Sequence, residues 1–300
     1  MPQWNKLGEI FIVNNPNSEL TNYASNPLPV HLRENIYRIF YSGRNSENRS
    51  SIGFADLDIE NGRIISYPKE PVLKYGGENT FYSDGISLGN KIEIQNKSYI
   101  LFMGWQRFKD KHWRGEIGKL ELIGNDKLKI CSENPIISID KEDEISLSYP
   151  FITFHDNQYK MWYGSTIKWD SEGQEMIHVI KYATSKDSIT WQKHGIAVPY
   201  ELGIAQAFSR PSVIIDDFGF HIWYSYRGGN GMKYRIGYAF SSNGINWVRQ
   251  HNHTGIDVSE NGWDSQMICY PAVFDHNGKR YMLYNGNDYG KTGFGLAILE

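Results

Sequence analysis

Hydrophobic and polar positions along the chain alternate with a period of two, in short runs that end at a turn. In Tyr37–Gly43 (YRIFYSG), Tyr159–Ser165 (YKMWYGS) and Tyr281–Asn287 (YMLYNGN), aromatic and aliphatic side chains interleave and then stop at glycine. This alternation predicts strands, and no stretch sustains a helical period. One aromatic position recurs. It is Tyr37, Tyr99, Tyr159, Phe220 and Tyr281, at spacings of 62, 60, 61 and 61 residues. Roughly ten residues before each aromatic comes another short segment: NPLPVHL, SDGISLGNKI, SYPFITF, SRPSVII and CYPAVFD. Four of these open on proline, at Pro27, Pro150, Pro211 and Pro271, and the second copy has Asp84-Gly85 there instead. Proline suits the start of a strand, where its missing N–H costs little. A third segment follows each pair: SSIGFADLD, GEIGKLEL, HVIKYATS, YRIGYAFSS and GFGLAILE. The links HDNQ, DDFG and DHNG carry hairpin chemistry.

Five copies of three or four strands predict an all-β chain folded as a single five-bladed β-propeller. The whole chain, 1–300, is then one domain, its ring closed by the N-terminal segment LGEIFIV beside the last copy. SKDSITW (185–191) and SSNGINW (241–247) resemble shortened forms of the Ser-x-Asp-x-Gly-x-Thr-Trp turns of sialidase-type propellers. They are read as structural hairpins, with Trp191 and Trp247 packing between blades.

Composition narrows the partners. The 31 Lys and Arg against 34 Asp and Glu give a net charge of −3, which disfavours nucleic-acid binding by phosphate neutralisation. Tyr (20), Phe (14) and Trp (9) are abundant and suit both strands and sugar-stacking surfaces. Two cysteines, Cys131 and Cys269, are too few for a disulfide scaffold or a thiolate metal site. The N-terminus lacks the pattern of a signal peptide, and no apolar run is long enough for a membrane span. The expectation is a soluble, cytoplasmic protein.

In a propeller, function sits where loops depart from the repeat. Before the first strands the copies read Ser25-Asn26, Ser83-Asp84, Ser148-Tyr149, Ser209-Arg210 and Cys269-Tyr270. After the second strands they read Ser42-Gly43-Arg44, Gly104-Trp105-Gln106, Gly164-Ser165, Tyr226-Arg227 and Asn285-Gly286-Asn287. Amides and arginines for hydroxyls, with aromatic faces for C–H surfaces, are what a sugar site needs. Arg44, Arg210 and Arg227 would suit a carboxylate or phosphate, so an acidic sugar, a nucleotide sugar or inorganic phosphate fits them. Asn48, Arg49 and Ser50 extend the Arg44 rim, and Trp105, Trp169, Tyr149 and Tyr226 are stacking candidates. No phosphate-binding glycine loop and no Gly-x-Ser-x-Gly elbow occurs. His251-Asn252-His253 has no third ligand in view, so neither a metal nor a cofactor is expected.

The segments YRIFYSGRNSENRSSIGFADLD, YPFITFHDNQYKMWYGS, YRIGYAFSSNGINW and YPAVFDHNGKRYMLYNGNDYGKTGFGLA resemble the five-bladed propeller glycosidases. That superfamily holds arabinanases, β-xylosidases, invertases and mannoside phosphorylases. The pattern is most like that of uncharacterised glycosidase-like proteins from bacterial surface-polysaccharide loci. The resemblance implies acidic catalytic residues from the inner strands of the first three blades, one to protonate the leaving oxygen and one to activate water or attack the sugar. On this basis Asp84 is the central candidate, with Glu144, six residues before Pro150, as the blade 3 acid; Glu142 and Asp143 rank below it. Asp264, seven residues before Pro271, is a further carboxylate that could pair with Asp84. Asn26 stands where the family has an aspartate, and an amide cannot act as a base. Three readings follow: a glycoside-hydrolase-like enzyme acting on a bacterial glycan or glycan precursor, a phosphorylase or transferase variant, and a non-catalytic sugar-binding propeller serving polysaccharide biosynthesis.

Overall fold

The computed structural model describes residues 3–13, 15, 18–109, 111–170, 172 and 175–300. The twenty strands among these residues fall into five antiparallel groups of four, the first four groups in chain order. The first is β2 (Asn22–Arg33), β3 (Ile36–Arg44), β4 (Ser50–Asp58) and β5 (Arg63–Ser66). The second is β6 (Gly85–Ile94), β7 (Lys97–Gln106), β8 (Arg114–Ile123) and β9 (Lys127–Ile130). The third is β10 (Ser146–His155), β11 (Gln158–Asp170), β12 (Glu175–Ser185) and β13 (Gln192–Ile196). The fourth is β14 (Ala207–Asp216), β15 (Gly219–Arg227), β16 (Arg235–Ser241) and β17 (Val248–Arg249). The fifth joins β18 (Cys269–His276), β19 (Lys279–Asn285) and β20 (Phe294–Leu299) to β1 (Trp4–Phe11), which pairs antiparallel with β20.

Two eight-stranded sheets and one four-stranded sheet result. Each large sheet is two of these groups joined by a single parallel pair, Ser50 with Gly85 or His178 with Ala207. The first strands of the groups also touch in sequence, β2 with β6, β6 with β10, β10 with β14, β14 with β18, and β18 with β2.

The alternation in the second strands has a direct cause. Each is buried on both faces, so successive side chains enter different cores. Ile39 and Tyr41 join the cluster shared with the fifth group, and Phe40 joins the one shared with the second. Ile100 and Phe102 face the first group while Leu101 faces the third. Met161 and Tyr163 face the second group while Trp162 faces the fourth. Ile222 and Tyr224 face the third group while Trp223 faces the fifth. In β19, Met282 and Tyr284 face the fourth group while Leu283 faces the first. Trp247 meets Trp162 edge-on at 5.9 Å between ring centroids, and Trp191 packs on the cluster between the second and third groups. The turns before these tryptophans share one device: Asp187 Oδ1 accepts from the Ile189 and Thr190 N–H groups, and Asn243 Oδ1 accepts from Ile245 and Asn246.

The prolines mark a β-bulge. In β2, β10, β14 and β18 the register slips at Asn26-Pro27, Tyr149-Pro150, Arg210-Pro211 and Tyr270-Pro271. The residue before each proline has a left-handed backbone, with φ of 57°, 36°, 49° and 53°. A bulge leaves one residue unpaired in the ladder, so proline's missing donor is tolerated there. In β6 the slip falls between Leu88 and Lys91, at Gly89-Asn90. Gly89-Asn90 is thus the counterpart of the X-Pro pairs, and Asp84 lies outside β6, just ahead of Gly85.

Candidate functional site

In an antiparallel meander the start of strand one, the end of strand two and the start of strand three share one edge. That edge carries a cavity of about 400 Å³. Its wall is aromatic and apolar, from Trp105, Trp113, Tyr149, Phe208, Tyr234, Tyr270, Tyr289, Met103 and Met176. Its polar groups are Arg44, Arg107, Arg227, Asn48, His178, Ser87, Ser148 and Ser209. Among the described residues no Asp or Glu lines it.

The three arginines differ in how they are held. Arg107 donates from Nε and Nη2 to Asp84 Oδ1 at 3.1 and 2.8 Å, and its backbone N–H donates to Oδ2 at 2.8 Å. Arg227 donates to the Gly228 and Gly229 carbonyls at 3.0 and 2.7 Å, with Glu175 at 3.6 Å and the Tyr234 ring at 5.9 Å. Arg44 donates to the Asn48 amide oxygen at 2.6 Å and lies over the Tyr23 ring at 4.9 Å. No carboxylate pairs with Arg44 among the described residues. On the floor, the Tyr149 and Tyr270 rings lie 5.3 Å apart. Burial pushes both of their hydroxyl pKa values up, so they stay protonated and able to donate.

His178 joins the wall to the interior. One ring nitrogen lies 2.6 Å from Ser148 Oγ and the other 2.7 Å from Thr166 Oγ1. Gly164 makes room for this pair, since a Cβ there would overlap both Ser148 Oγ and the imidazole. Burial, reinforced by His112 and Arg227, pushes His178 down to about 3, so it is neutral at pH 7. The unfolded chain takes up a proton near pH 6.5 that the folded chain refuses until near pH 3. Stability from this group is therefore present above pH 6.5 and is lost as the pH falls toward 3. His251, pushed down to about 4 by burial beneath Tyr226, acts in the same direction. Urea unfolding at pH 7 and pH 5 is expected to show a loss of about 2 kcal/mol from His178 alone. His178→Gln should flatten that dependence; an unchanged slope would contradict the assignment.

Of the residues singled out by sequence, the structure brings Arg44, Asn48, Trp105, Ser148, Tyr149, Ser209, Arg227 and Tyr270 into the cavity. Asp84 stands behind it, bound to Arg107. Glu144 is exposed, and its neighbour Asp143 is the buried acid. Asp143 accepts from Ser165 Oγ (2.6 Å), Tyr163 OH (3.0 Å) and the lysines Lys181 (2.8 Å) and Lys193 (2.5 Å). Asp264 repeats this arrangement in the fifth group, accepting from Tyr284 OH at 3.1 Å and Lys6 at 2.8 Å. Both acids lie seven residues ahead of a bulge proline and tie a second-strand tyrosine to a lysine. The three carboxylates expected as catalytic are thus not gathered at one point of the cavity.

The remaining candidates hold backbone or packing. Asn285 donates to the Ala24 and Gly293 carbonyls and accepts from the Asn26 N–H. Asn287 accepts from the Gln266 and Met267 N–H groups. Tyr226 stacks on His251 at 4.0 Å, Ser165 serves Asp143, and Gln106 pairs with Arg114 at the end of β7. Trp169 packs on His112, and His251 bonds Tyr224 OH.

Arg210 is fully buried on the axis. Its guanidinium donates to the carbonyls of Tyr270 (2.5 Å), Pro271 (3.2 Å), Pro27 (2.7 Å) and Leu88 (3.5 Å), which belong to three other groups. It lines a second cavity of about 500 Å³ formed by the first strands. Trp113, Met176, His178, Tyr234, Arg107 and Tyr289 were missed. The first four begin or precede third strands, an edge no motif marks. Tyr289 sits in the short turn Asn287–Gly290 with φ of 61°.

No helix among the described residues is long and apolar enough to cross a membrane. No known family model matches the chain. Among solved structures, a glycoside hydrolase matches 98% of this chain and 91% of its own at a TM-score of 0.75 and 14% identity. A member of the GH130 family of mannoside phosphorylases, which contains glycoside hydrolases that target β-1,2 mannosidic linkages in Candida mannan, matches 99% of this chain and 93% of its own at 0.72 and 11%. A thermostable family-43 glycoside hydrolase matches 95% and 91% at 0.66 and 14%. At these identities the likeness establishes the glycosidase-like β-propeller fold. Two curated proteins of Mycobacterium tuberculosis are far more similar in sequence: the uncharacterized proteins MT1551 (strain CDC 1551 / Oshkosh) and Rv1502 (strain ATCC 25618 / H37Rv), each 38% identical over 302 residues and 99% of both chains. With near-complete coverage at that identity, on a fold shared with glycoside hydrolases and mannoside phosphorylases, the chain belongs to the family of these two mycobacterial proteins.

Proposed function

We propose that this protein is a carbohydrate-active, single-domain five-bladed propeller that binds an anionic sugar, one bearing phosphate or carboxylate, in the cavity between Arg44 and Arg227. The five antiparallel groups, the five interlocking cores and the β1–β20 pairing support the blade count and the closure. One observation carries the ligand class: three arginines and a wall of tyrosine and tryptophan face a cavity that no carboxylate lines among the described residues. Aromatic faces suit sugar C–H surfaces, and guanidinium forks suit a planar or tetrahedral anion.

A hydrolase using two carboxylates would place them across the scissile bond, roughly 5–10 Å apart. With Asp84 bound to Arg107, Glu144 exposed and Asp264 tied to Lys6, the same observation favours phosphorolysis or transfer over hydrolysis. In phosphorolysis the phosphate itself attacks the anomeric carbon, so no enzymic base is needed. Proton NMR of the anomeric region, run on oligosaccharides and nucleotide sugars with and without phosphate, tests this. Phosphate-dependent new anomeric signals are expected. Turnover without phosphate would instead favour hydrolysis, and line broadening without turnover would leave a binding propeller. Arg227→Gln is expected to weaken binding of the anionic ligand about tenfold, equivalent to about 1.4 kcal/mol, checked by calorimetric titration.

A further inference from the structure

Arg44 and Arg107 both line the cavity, and both flank the Trp105 ring. Each guanidinium lies 5.7 Å from the centroid of the Trp105 ring. Both are fixed to one turn, since Arg107 Nη2 donates to the Glu47 carbonyl at 3.2 Å and Arg44 Nη1 donates to the Asn48 side chain at 2.6 Å. Two cations flanking one ring raise the local positive potential, and an anion beside either offsets it. Here Asp84 supplies an anion to one of the two. Its carboxylate takes the Arg107 fork and the Arg107 backbone N–H, while Arg44 is left with an amide and aromatic faces.

We propose that Arg44, Arg107 and Asn48 form a phosphate subsite, in which the Asp84 carboxylate is the resident anion that an arriving phosphate displaces from Arg107. This rests on the reading of the cavity as an anionic-sugar site, and narrows the anion. A planar carboxylate has two oxygens, and in Asp84 one is taken by the Arg107 guanidinium and the other by the Arg107 backbone N–H. Two guanidiniums and an amide on separate side chains call for more acceptor oxygens than a carboxylate has, and for more than one negative charge. A phosphate monoester has three free oxygens and close to two charges at neutral pH. When it docks, Arg107 exchanges one anion for another. Asp84 is left beside the cavity without its cation, the only side-chain carboxylate this subsite holds among the described residues.

Competition of this kind makes a counter-intuitive prediction. Asp84→Asn, which removes the resident anion, is expected to tighten binding of inorganic phosphate about tenfold by calorimetric titration. Arg107→Gln and Arg44→Gln are each expected to weaken it at least tenfold. Glu47→Gln removes a charge from the same turn whose side chain pairs with Arg49, not Arg107. Its effect should stay below about twofold, which separates displacement from a general change of field. Thermal unfolding of each variant confirms that it is folded. Phosphate binding no tighter in Asp84→Asn than in the wild type overturns the proposal. So does an equal gain in Glu47→Gln. If a hexuronic acid binds and phosphate does not, the subsite is overturned and the anionic-sugar reading stands. If neither phosphate, a hexose phosphate nor a hexuronic acid binds, both fall.

Discussion

Asp143→Ala is expected to destabilise the fold by about 3–5 kcal/mol. The Asp143 side chain is inaccessible to solvent and accepts from two lysines, Lys181 and Lys193, that are themselves 9% and 10% exposed. Lys193 also reaches Asp140, but Lys181 has no second carboxylate among the described residues. Removing the acid strands a buried ammonium and leaves the Tyr163 and Ser165 hydroxyls without their acceptor. The cost is that of an uncompensated charge, not of one lost hydrogen bond. Denaturant unfolding at pH 7 measures it. The lysine bonds and the Ser165 bond outweigh burial and hold the Asp143 carboxyl below its ordinary range. This contribution is therefore kept at neutral pH and lost only in acid, as the pH falls through the depressed value. The equivalent Asp264→Ala should cost less, because its partner Lys6 is 21% exposed and can return to water. A larger loss for Asp264 than for Asp143 would contradict this account of the pair.

Arg210→Met is expected to cost about 3 kcal/mol, from carbonyls left without donors at the axis. Arg210 is a cation with no carboxylate partner among the described residues, and desolvation lowers its pKa to about 10. It stays charged because carbonyls from the first, second and fifth groups converge on it. Those carbonyls belong to residues in or beside the register slips of β2, β6 and β18. Arg210→Lys should recover only part of the stability, since an ammonium is a point donor and cannot span three groups as a planar fork does. At roughly 2 °C per kcal/mol for a domain of this size, Arg210→Met should lower Tm by about 6 °C. A change within 1 °C would show that water replaces the guanidinium on the axis at little cost.

These two residues show what the sequence made legible. The five-fold repeat was plain because every second strand is buried on both faces, which imposes one alternating pattern on all copies. The bulge prolines were equally plain, but their meaning was not. Proline marks the residue after a left-handed backbone, and only the register shows that Gly89-Asn90 is the second copy's counterpart. The acids were harder to read. Asp143 and Glu144 are adjacent in the chain and both lie ahead of β10, in a turn bridged by Asp140 and Asp143, where no alternation tells which one turns inward. Nor does a motif distinguish Arg210, which binds backbone from three other groups, from Arg44 and Arg227, which face the cavity. His178 and Tyr234 open third segments, where no motif marks a site, and Arg107 lies one residue beyond the Gly104-Trp105-Gln106 end of the second strand.

Isothermal titration calorimetry on the wild-type protein compares three ligands: a hexose 1-phosphate, the matching hexuronic acid and the matching neutral hexose. An anionic form is expected to bind at least tenfold tighter than the neutral sugar, with binding that weakens as salt rises and is lost in an Arg44→Gln, Arg227→Gln double variant that remains folded. Equal affinity for charged and neutral sugars, or anion binding that survives the loss of both arginines, would contradict the anionic-sugar reading.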